Sequence, residues 1–352
     1  MKIGILTFIK TINYGALFQA FALQYVLERL GYKTELLQYE NQHIAKKEMN
    51  KNLFSAKYLI RKIIIGRGFE KKRRKFDFFE KKYIHIGAPV ERGEFENKKG
   101  EYDVIVVGSD QVWNIDLTHY DLTFFLKGFV NIKRRIAYAP SFGNNLSASS
   151  LNDDILALLR KFNAISVREQ SCAEILGAKM VEKPKVVLDP TLLMTKKEWS
   201  EYISFKPPYD HYILVYFPNN KKRVFEFAKK LSKKKNCQIV YLSISPRIQW
   251  GVDTIYDASP EEWLGWLYYA DYVIVGSFHG TAFSLNFEKQ FFYENAGPGS
   301  RIDNLVTLTN TKNRNLDFCN IDEIIDYDFV RKNLDVLRMD SLTWLRNAVE
   351  NG

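Results

Sequence analysis

The segment DYVIVGSFHGTAFSLNF, residues 271–287, carries a histidine in an informative place. An apolar run that reads as a buried strand ends at Gly276-Ser277, and a helical pattern begins near His279-Gly280-Thr281. His279 therefore stands where a strand's carboxyl end meets a helix's amino end. In open α/β sheets ligands bind there, and the unpaired helix N–H groups favour phosphate or carboxylate. His279 is either a satisfied structural histidine or a proton-transfer group facing an anion. Arg168 ends the strand candidate AISVR in the same way, as an anion clamp or a surface salt bridge. In VVGSDQVWN (106–114), Ser109, Asp110 and Gln111 fall just beyond another apolar run. They could contact sugar hydroxyls, with Asp110 taking a proton; alternatively Asp110 caps a helix beside a core Trp113. In GPGSRIDNL (297–305), a Gly297-Pro298-Gly299 loop leads to Ser300 and Arg301 at a helix start. That suits a phosphate or, equally, a plain capped surface helix. Asn13, Tyr14 and Gly15 open the first helix, where Asn13 can cap and Gly15 admits a ligand or a neighbouring backbone. Asp189-Pro190-Thr191 reads as a turn in preference to a catalytic carboxylate.

Strands alternating with helices must position these residues. KIGILTF (2–8), a helix stopped by Gly31, and KTELLQY (33–39) open the chain as a β-α-β unit. YDVIVVG (102–108), RRIAYAP (134–140), AISVR (164–168) and KVVLDPT (185–191) follow as strands, the last ended by Pro190. SFKPPYDH (204–211) resembles a linker. After it YILVYF, a Lys-rich helix, QIVYLSI, a Trp-rich helix, YVIVG, another helix and QFFYE alternate. Such alternation implies α/β domains with helix-covered parallel sheets. The expected architecture is a domain over 1–204 with a basic helical insertion at about 43–82, a second over 205–325, and a helix over 326–352 packing back on the first. Both sheets are expected to face a common cleft, with cations from the two sets of strand tips holding one small, highly charged anion.

A length of 352 residues suits two domains. Three widely spaced cysteines, Cys172, Cys237 and Cys319, exclude a disulfide framework or a Cys-rich zinc site and suit a reducing cytoplasm. The amino-terminal apolar run is too short for a signal peptide, and no stretch is long enough for a membrane span. Neither G-x-G-x-x-G nor a P-loop occurs, which argues against NAD or ATP. No carboxylate–histidine cluster has metal-ligand spacing, so no metal is expected. Of the formal charge of +10, eleven Lys/Arg against Glu70, Asp77 and Glu80 place +8 between Lys57 and Lys82. A charge so localised, without a recognition motif, argues against nucleic acid. Residues 57–82 are either a solvated helical face or a surface for an anionic membrane.

INYGALFQAFALQ, YDVIVVGSDQVWN, RIAYAPSFG, ISVREQS, VVLDPTLL, IVGSFHGTAFSLNF and SRIDNL together resemble the polysaccharide pyruvyl transferase family, in family order from about residue 1 to 310. The resemblance implies a GT-B-like fold of two Rossmann-like domains and transfer of pyruvate from phosphoenolpyruvate to a sugar as a cyclic ketal. It matches His279 to the family's histidine, as acid, and Arg168 to its SVR arginine, as donor clamp. Several relatives have an arginine two positions before that histidine; here Ser277 stands there, leaving Arg301 as the nearest cation by motif. The expectation is a cytoplasmic enzyme, peripheral at the inner face of the cell membrane, that needs no cofactor. Its partners would be phosphoenolpyruvate and a glycan acceptor, polyprenyl-diphosphate-linked, for a bacterial capsule, exopolysaccharide or cell wall. Rival readings are a GT-B glycosyltransferase using a nucleotide sugar and an inactive scaffold of a glycan-assembly complex, the latter favoured by Ser277.

Overall fold

The computed structural model describes residues 1–45, 58–91, 95, 101–143, 151–217, 222–244, 249, 251–294 and 300–351, with side chains described from 68 onward in the helix that begins at 58. Two compact units divide the chain. The first comprises 1–54, 80–193 and 335–352; the second comprises 55–79 and 194–334.

The first unit holds a seven-stranded, all-parallel sheet. Its strands are β1 (Lys2–Leu6), β2 (Lys33–Gln38), β3 (Ile86–Pro89), β4 (Val104–Val107), β5 (Arg134–Ala137), β6 (Ala164–Val167) and β7 (Lys185–Val186), in spatial order β3-β2-β1-β4-β5-β6-β7. β4 is VIVV, buried at all four positions, as expected of a strand covered on both faces. Helix α1 (Tyr14–Arg29) follows β1; Asn13 caps it by accepting from the Gly15 and Ala16 N–H groups at 2.9 and 3.3 Å. Gly31, at φ +92°, ends it in the left-handed conformation that glycine adopts cheaply.

The second unit holds five parallel strands, β8 (Tyr212–Tyr216), β9 (Gln238–Leu242), β10 (Asp253–Ile255), β11 (Tyr272–Val275) and β12 (Gln290–Tyr293), in the order β10-β9-β8-β11-β12. Both sheets are thus of the α/β kind expected. The edge strands β3 and β10 have no counterpart in the sequence reading: IGAP and DTI are short and only part-buried, with no apolar run to announce them.

Helix α2 (Tyr58–Tyr83) begins in the second unit and ends in the first. The expected insertion therefore does not belong wholly to the first unit. The reason is chemical: the Lys71 ammonium bonds Asp257 at 2.6 Å and Lys75 bonds Glu262 at 2.8 Å, both in the second unit. The expected boundary at 204/205 is likewise earlier, at 193/194. Residues past 193 are held by the second unit: the Asn286 side chain donates to Met194 O at 2.8 Å, Lys196 pairs with Glu288 at 2.9 Å, and Trp199 packs on Phe283.

Between β4 and β7 lie α3 (Ile115–Thr118), α4 (Asp153–Leu159) and α5 (Gln170–Gly177); α6 (Pro190–Leu193) follows β7. The strand expected over 185–191 is only two residues long, and Pro190 opens a helix where it was read as a strand stop. Proline suits a helix's first turn, where its missing N–H costs nothing. In the second unit come α7 (Lys196–Ser200), α8 (Lys222–Lys235), α9 (Pro260–Tyr268), α10 (Phe278–Asn286) and α11 (Arg301–Leu308). Thr195 with Glu198 and Ser259 with Glu262 form capping boxes that set the starts of α7 and α9. The last helix, α12 (Tyr327–Asn351), passes from the second unit into the first at 334/335. There the Leu188 N–H donates to Ser341 Oγ at 3.0 Å, Arg338 donates to Leu192 O at 2.6 Å, and Trp344 packs near Tyr138.

Candidate functional site: two sets of strand tips

Because the first sheet is all-parallel, residues that follow β4, β6 and β7 emerge at one edge. There Ser109, Asp110, Arg168, Glu169 and Asp189 gather. Arg168 is 3 % exposed and Asp189 1 %. The Arg168 guanidinium donates through Nη1 to Asp189 Oδ2 at 2.6 Å and through Nε to Glu169 Oε1 at 3.3 Å. Ser109 Oγ donates to the same Asp189 oxygen at 2.8 Å, while Asp189 Oδ1 accepts the Thr191 N–H at 3.0 Å and hydroxyl at 2.7 Å. Burial works to lower the Arg168 pKa. The charges of Glu169, Asp189 and Asp110 outweigh it and hold the guanidinium above its usual value. Burial and the Glu169 charge also push the Cys172 thiol up.

Three carboxylates thus surround one guanidinium. A donor anion at Arg168 would meet a cation already matched by Asp189 and Glu169, so the strand edge presents acceptor oxygens more than positive charge. Among the described residues, Glu169 Oε2 is buried with no hydrogen-bond donor. Carboxylate oxygens of this kind suit hydroxyl or amine donors. Asp110 holds φ +69° and its Oδ1 accepts the Gln111 N–H at 2.8 Å. The alternative role of Asp110 as a helix cap is taken instead by Asn114, which accepts the Leu117 N–H of α3. Ala139, just after β5, is also left-handed at φ +53°, and Pro140 bridges Asp110. Non-glycine residues in that region cost about 1 kcal/mol or more each and concentrate at functional edges. Gln111 accepts from the Asn114 side chain at 2.9 Å, and Trp113 lies in the core as expected.

At the tip of β1, Asn13 caps α1, and Tyr14 and Gly15 are buried. Thr7 Oγ1 donates to Ser109 O at 3.1 Å and accepts from Gln19 Nε2 at 2.8 Å, joining this tip to that of β4. Sequence reasoning missed Asp189 as the partner of Arg168, and missed Glu169 altogether. The dipeptide Arg168-Glu169 directly after a strand was the available signal.

In the second unit, β11 ends at Val275 and Ser277 caps α10, its Oγ accepting the Gly280 N–H at 3.1 Å. His279 is in the first turn, half-buried, with its ring edge-on to Phe278 at 5.2 Å between centroids. The serine in the arginine position is thus a helix cap. Ser300 caps α11 through the Asp303 N–H at 3.2 Å, which puts Arg301 at its first residue. Residues 297–299, expected to form the loop before it, lie outside the described residues. α10 and α11 pack against each other. His279, Ser277, Ser300 and Arg301 belong to the second unit, and Asp110, Ser109, Gln111, Arg168 and the residues 13–15 to the first. Among the described residues, no group of three His, Cys, Asp or Glu could hold a metal, and no helix is long and apolar enough to cross a membrane.

The two helix-covered parallel sheets give the chain an α/β fold of the GT-B kind. A crystal structure from Listeria monocytogenes, described as that of a UDP-N-acetylglucosamine 2-epimerase, is similar at 10% identity, over 99% of this chain and 91% of that one, with a TM-score of 0.54. Another UDP-N-acetylglucosamine 2-epimerase matches at 8% identity over 99% and 94% of the two chains, with a TM-score of 0.51. At such identities the likeness is one of fold. Among curated proteins no sequence match is found. The family model "Polysaccharide pyruvyl transferase" matches residues 13–294, and the chain belongs to that family.

Proposed function

We propose that the protein moves pyruvate from phosphoenolpyruvate onto two hydroxyls of a sugar, forming a cyclic ketal in a bacterial surface polysaccharide precursor. The family match over residues 13–294 carries this reading. Phosphoenolpyruvate bears a carboxylate and a phosphate of about −1.5 to −2, so its site needs cations and helix amino ends. His279, Ser277, Ser300 and Arg301, on the first turns of α10 and α11 or at their caps, are the residues we assign to it. His279 delivers the proton that turns the methylene into a methyl group and leaves positive charge on the carbon bearing phosphate. One sugar hydroxyl adds to that carbon, the C–O bond to phosphate breaks, and the second hydroxyl closes the ring. Of the two hydroxyl protons, one balances that given to the methyl group and the other leaves with inorganic phosphate. No cofactor enters the scheme.

The first unit's edge, rich in carboxylate and hydroxyl oxygens, is assigned to the acceptor, with Asp110 as base and Ser109, Gln111 and the residues Asn13 to Gly15 around the sugar. Arg168 then orders Asp189 and Glu169 beside it, besides any contact it makes with the donor. The acceptor we propose is polyprenyl-diphosphate-linked, and the enzyme cytoplasmic and peripheral at the membrane. In segment 57–82, a bilayer could draw on Arg73, Arg74, Lys81 and Lys82, which are exposed, but not on Lys72, which is buried.

The test is acceptor-dependent phosphate release from phosphoenolpyruvate. His279→Ala is expected to slow it by about 10²-fold or more. Unchanged turnover would remove His279 from the chemistry. Thermal protection by a nucleoside diphosphate, with none by phosphoenolpyruvate, would favour the glycosyltransferase instead.

A further inference from the structure

A second basic segment lies in the second unit. Helix α8 carries seven Lys/Arg against Glu226 over its fourteen residues. Val224, Phe225, Ala228 and Leu231 bury its apolar stripe in that unit's core, which leaves the cations outward. Helix stability does not account for them. Lys222 and Arg223 occupy the first turn, where the helix dipole disfavours positive charge. Lys229 with Lys233, and Lys230 with Lys234, set like charges four residues apart, which is also unfavourable.

Nearby acids answer only part of this charge. Lys222 pairs with Glu226 at 3.6 Å, Arg223 with Asp317, and Lys234 and Lys235 with Asp322. Lys229, Lys230 and Lys233 are exposed and have no ion pair among the described residues. The same pairings pin the segment 317–322 beside α8. That segment and its continuation expose two large apolar side chains, Phe318 at 67 % and Ile324 at 76 %. Arg223 holds Asp317, the residue before Phe318, and Lys230 and Arg223 act electrostatically on the Cys319 thiol just after it.

We propose that the basic row of α8, with Phe318 and Ile324, is a docking surface for an anionic phospholipid bilayer. The proposal deepens the lipid-linked acceptor reading and rests on it: the surface would hold the enzyme where such an acceptor is found. A bilayer uses both features, head groups taking the lysines and the acyl boundary taking the apolar side chains. A nucleic acid would use the lysines and leave Ile324 unused. Segment 57–82 is the rival surface: Lys71 and Lys75 are engaged by Asp257 and Glu262 and Lys72 is buried, while Arg73, Arg74, Lys81, Lys82 and Phe78 are exposed, so the two surfaces are told apart by substitution.

The experiment is sedimentation of the full chain with phosphatidylcholine vesicles, with and without phosphatidylglycerol. Binding is expected only with phosphatidylglycerol and should fade with salt. Lys229→Gln/Lys230→Gln/Lys233→Gln should lower it roughly 10²-fold, about fivefold per near-surface lysine. Phe318→Ala/Ile324→Ala should lower it several-fold at unchanged charge, and Arg73→Gln/Arg74→Gln should change it little. Failure of the native chain to sediment with phosphatidylglycerol, or equal sedimentation of the triple variant, overturns the proposal. So does duplex DNA binding that exceeds vesicle binding and ignores Phe318 and Ile324. Phosphate release with a soluble acceptor, measured on the same variants, separates the two readings. Retained turnover with lost docking supports this surface as a docking device, whereas vesicle binding without any turnover overturns the enzymatic reading alone.

Discussion

Replacing Asp189 by alanine gives the sharpest test of how the first unit is held together. The substitution removes the oxygens that accept Arg168 Nη1, Ser109 Oγ and both Thr191 donors. It leaves a guanidinium that is 3 % exposed and, among the described residues, still paired with Glu169. Breaking a buried pair from one side costs about 3–5 kcal/mol, because the surviving charge has lost water without compensation. Glu169 moderates the loss, so the lower half of that range is expected. For a unit of roughly 150–250 residues this lowers Tm by about 10 °C. Scanning calorimetry at neutral pH, or urea unfolding followed by tryptophan fluorescence, measures it. Arg168→Met/Asp189→Leu should recover most of the loss, since it removes the charge with its partner. A destabilisation of Asp189→Ala below about 1 kcal/mol would refute the reasoning and return Arg168 to the role of a donor clamp. In that case Arg168→Lys should raise KM for phosphoenolpyruvate with little change in Tm.

Two further outcomes are expected. Ser277→Ala removes the cap of α10 and should cost about 1 kcal/mol in urea unfolding; an unchanged midpoint would mean the cap contributes nothing. Burial lowers the Lys72 pKa to about 8, despite the opposing charge of Asp257. The folded lysine therefore loses its proton before the unfolded one, so between pH 8 and the ordinary lysine value the unfolded chain binds more protons and stability rises with pH. The native chain minus Lys72→Met should show a gain of about 1–2 kcal/mol from pH 8 to pH 9.5; a flat difference would mean Lys72 is not buried as a charge.

Much of the fold was legible because its signals are local. Continuous apolar runs such as VIVV and YILVY mark strands buried on both faces, and their alternation with helices compels parallel pairing. Asn13 as a cap, Gly31 as a helix stop and Ser300 at a helix start are decided within a few residues. The strand-to-helix address of His279 is equally local, and the structure differs from the expected helix start only by beginning at Phe278.

What the amino-acid order alone determined, then, is the kinds of elements, their sequence along the chain and which residues stand at their ends. Tertiary structure decided which of those ends meet, and hence which charges remain available. Arg168 finds Asp189, and Asp189 finds Ser109, only because β4, β6 and β7 emerge at one sheet edge, so a triplet read as turn became the guanidinium's counter-ion. The basic run of α2 turns Lys71 and Lys75 toward acids almost two hundred residues away, while α8, read from the sequence only as a Lys-rich helix of the second domain, keeps three lysines outward. The physical reason is that formal charge is a property of composition, but available charge depends on neighbours brought close through space, where Coulomb energy and desolvation are settled.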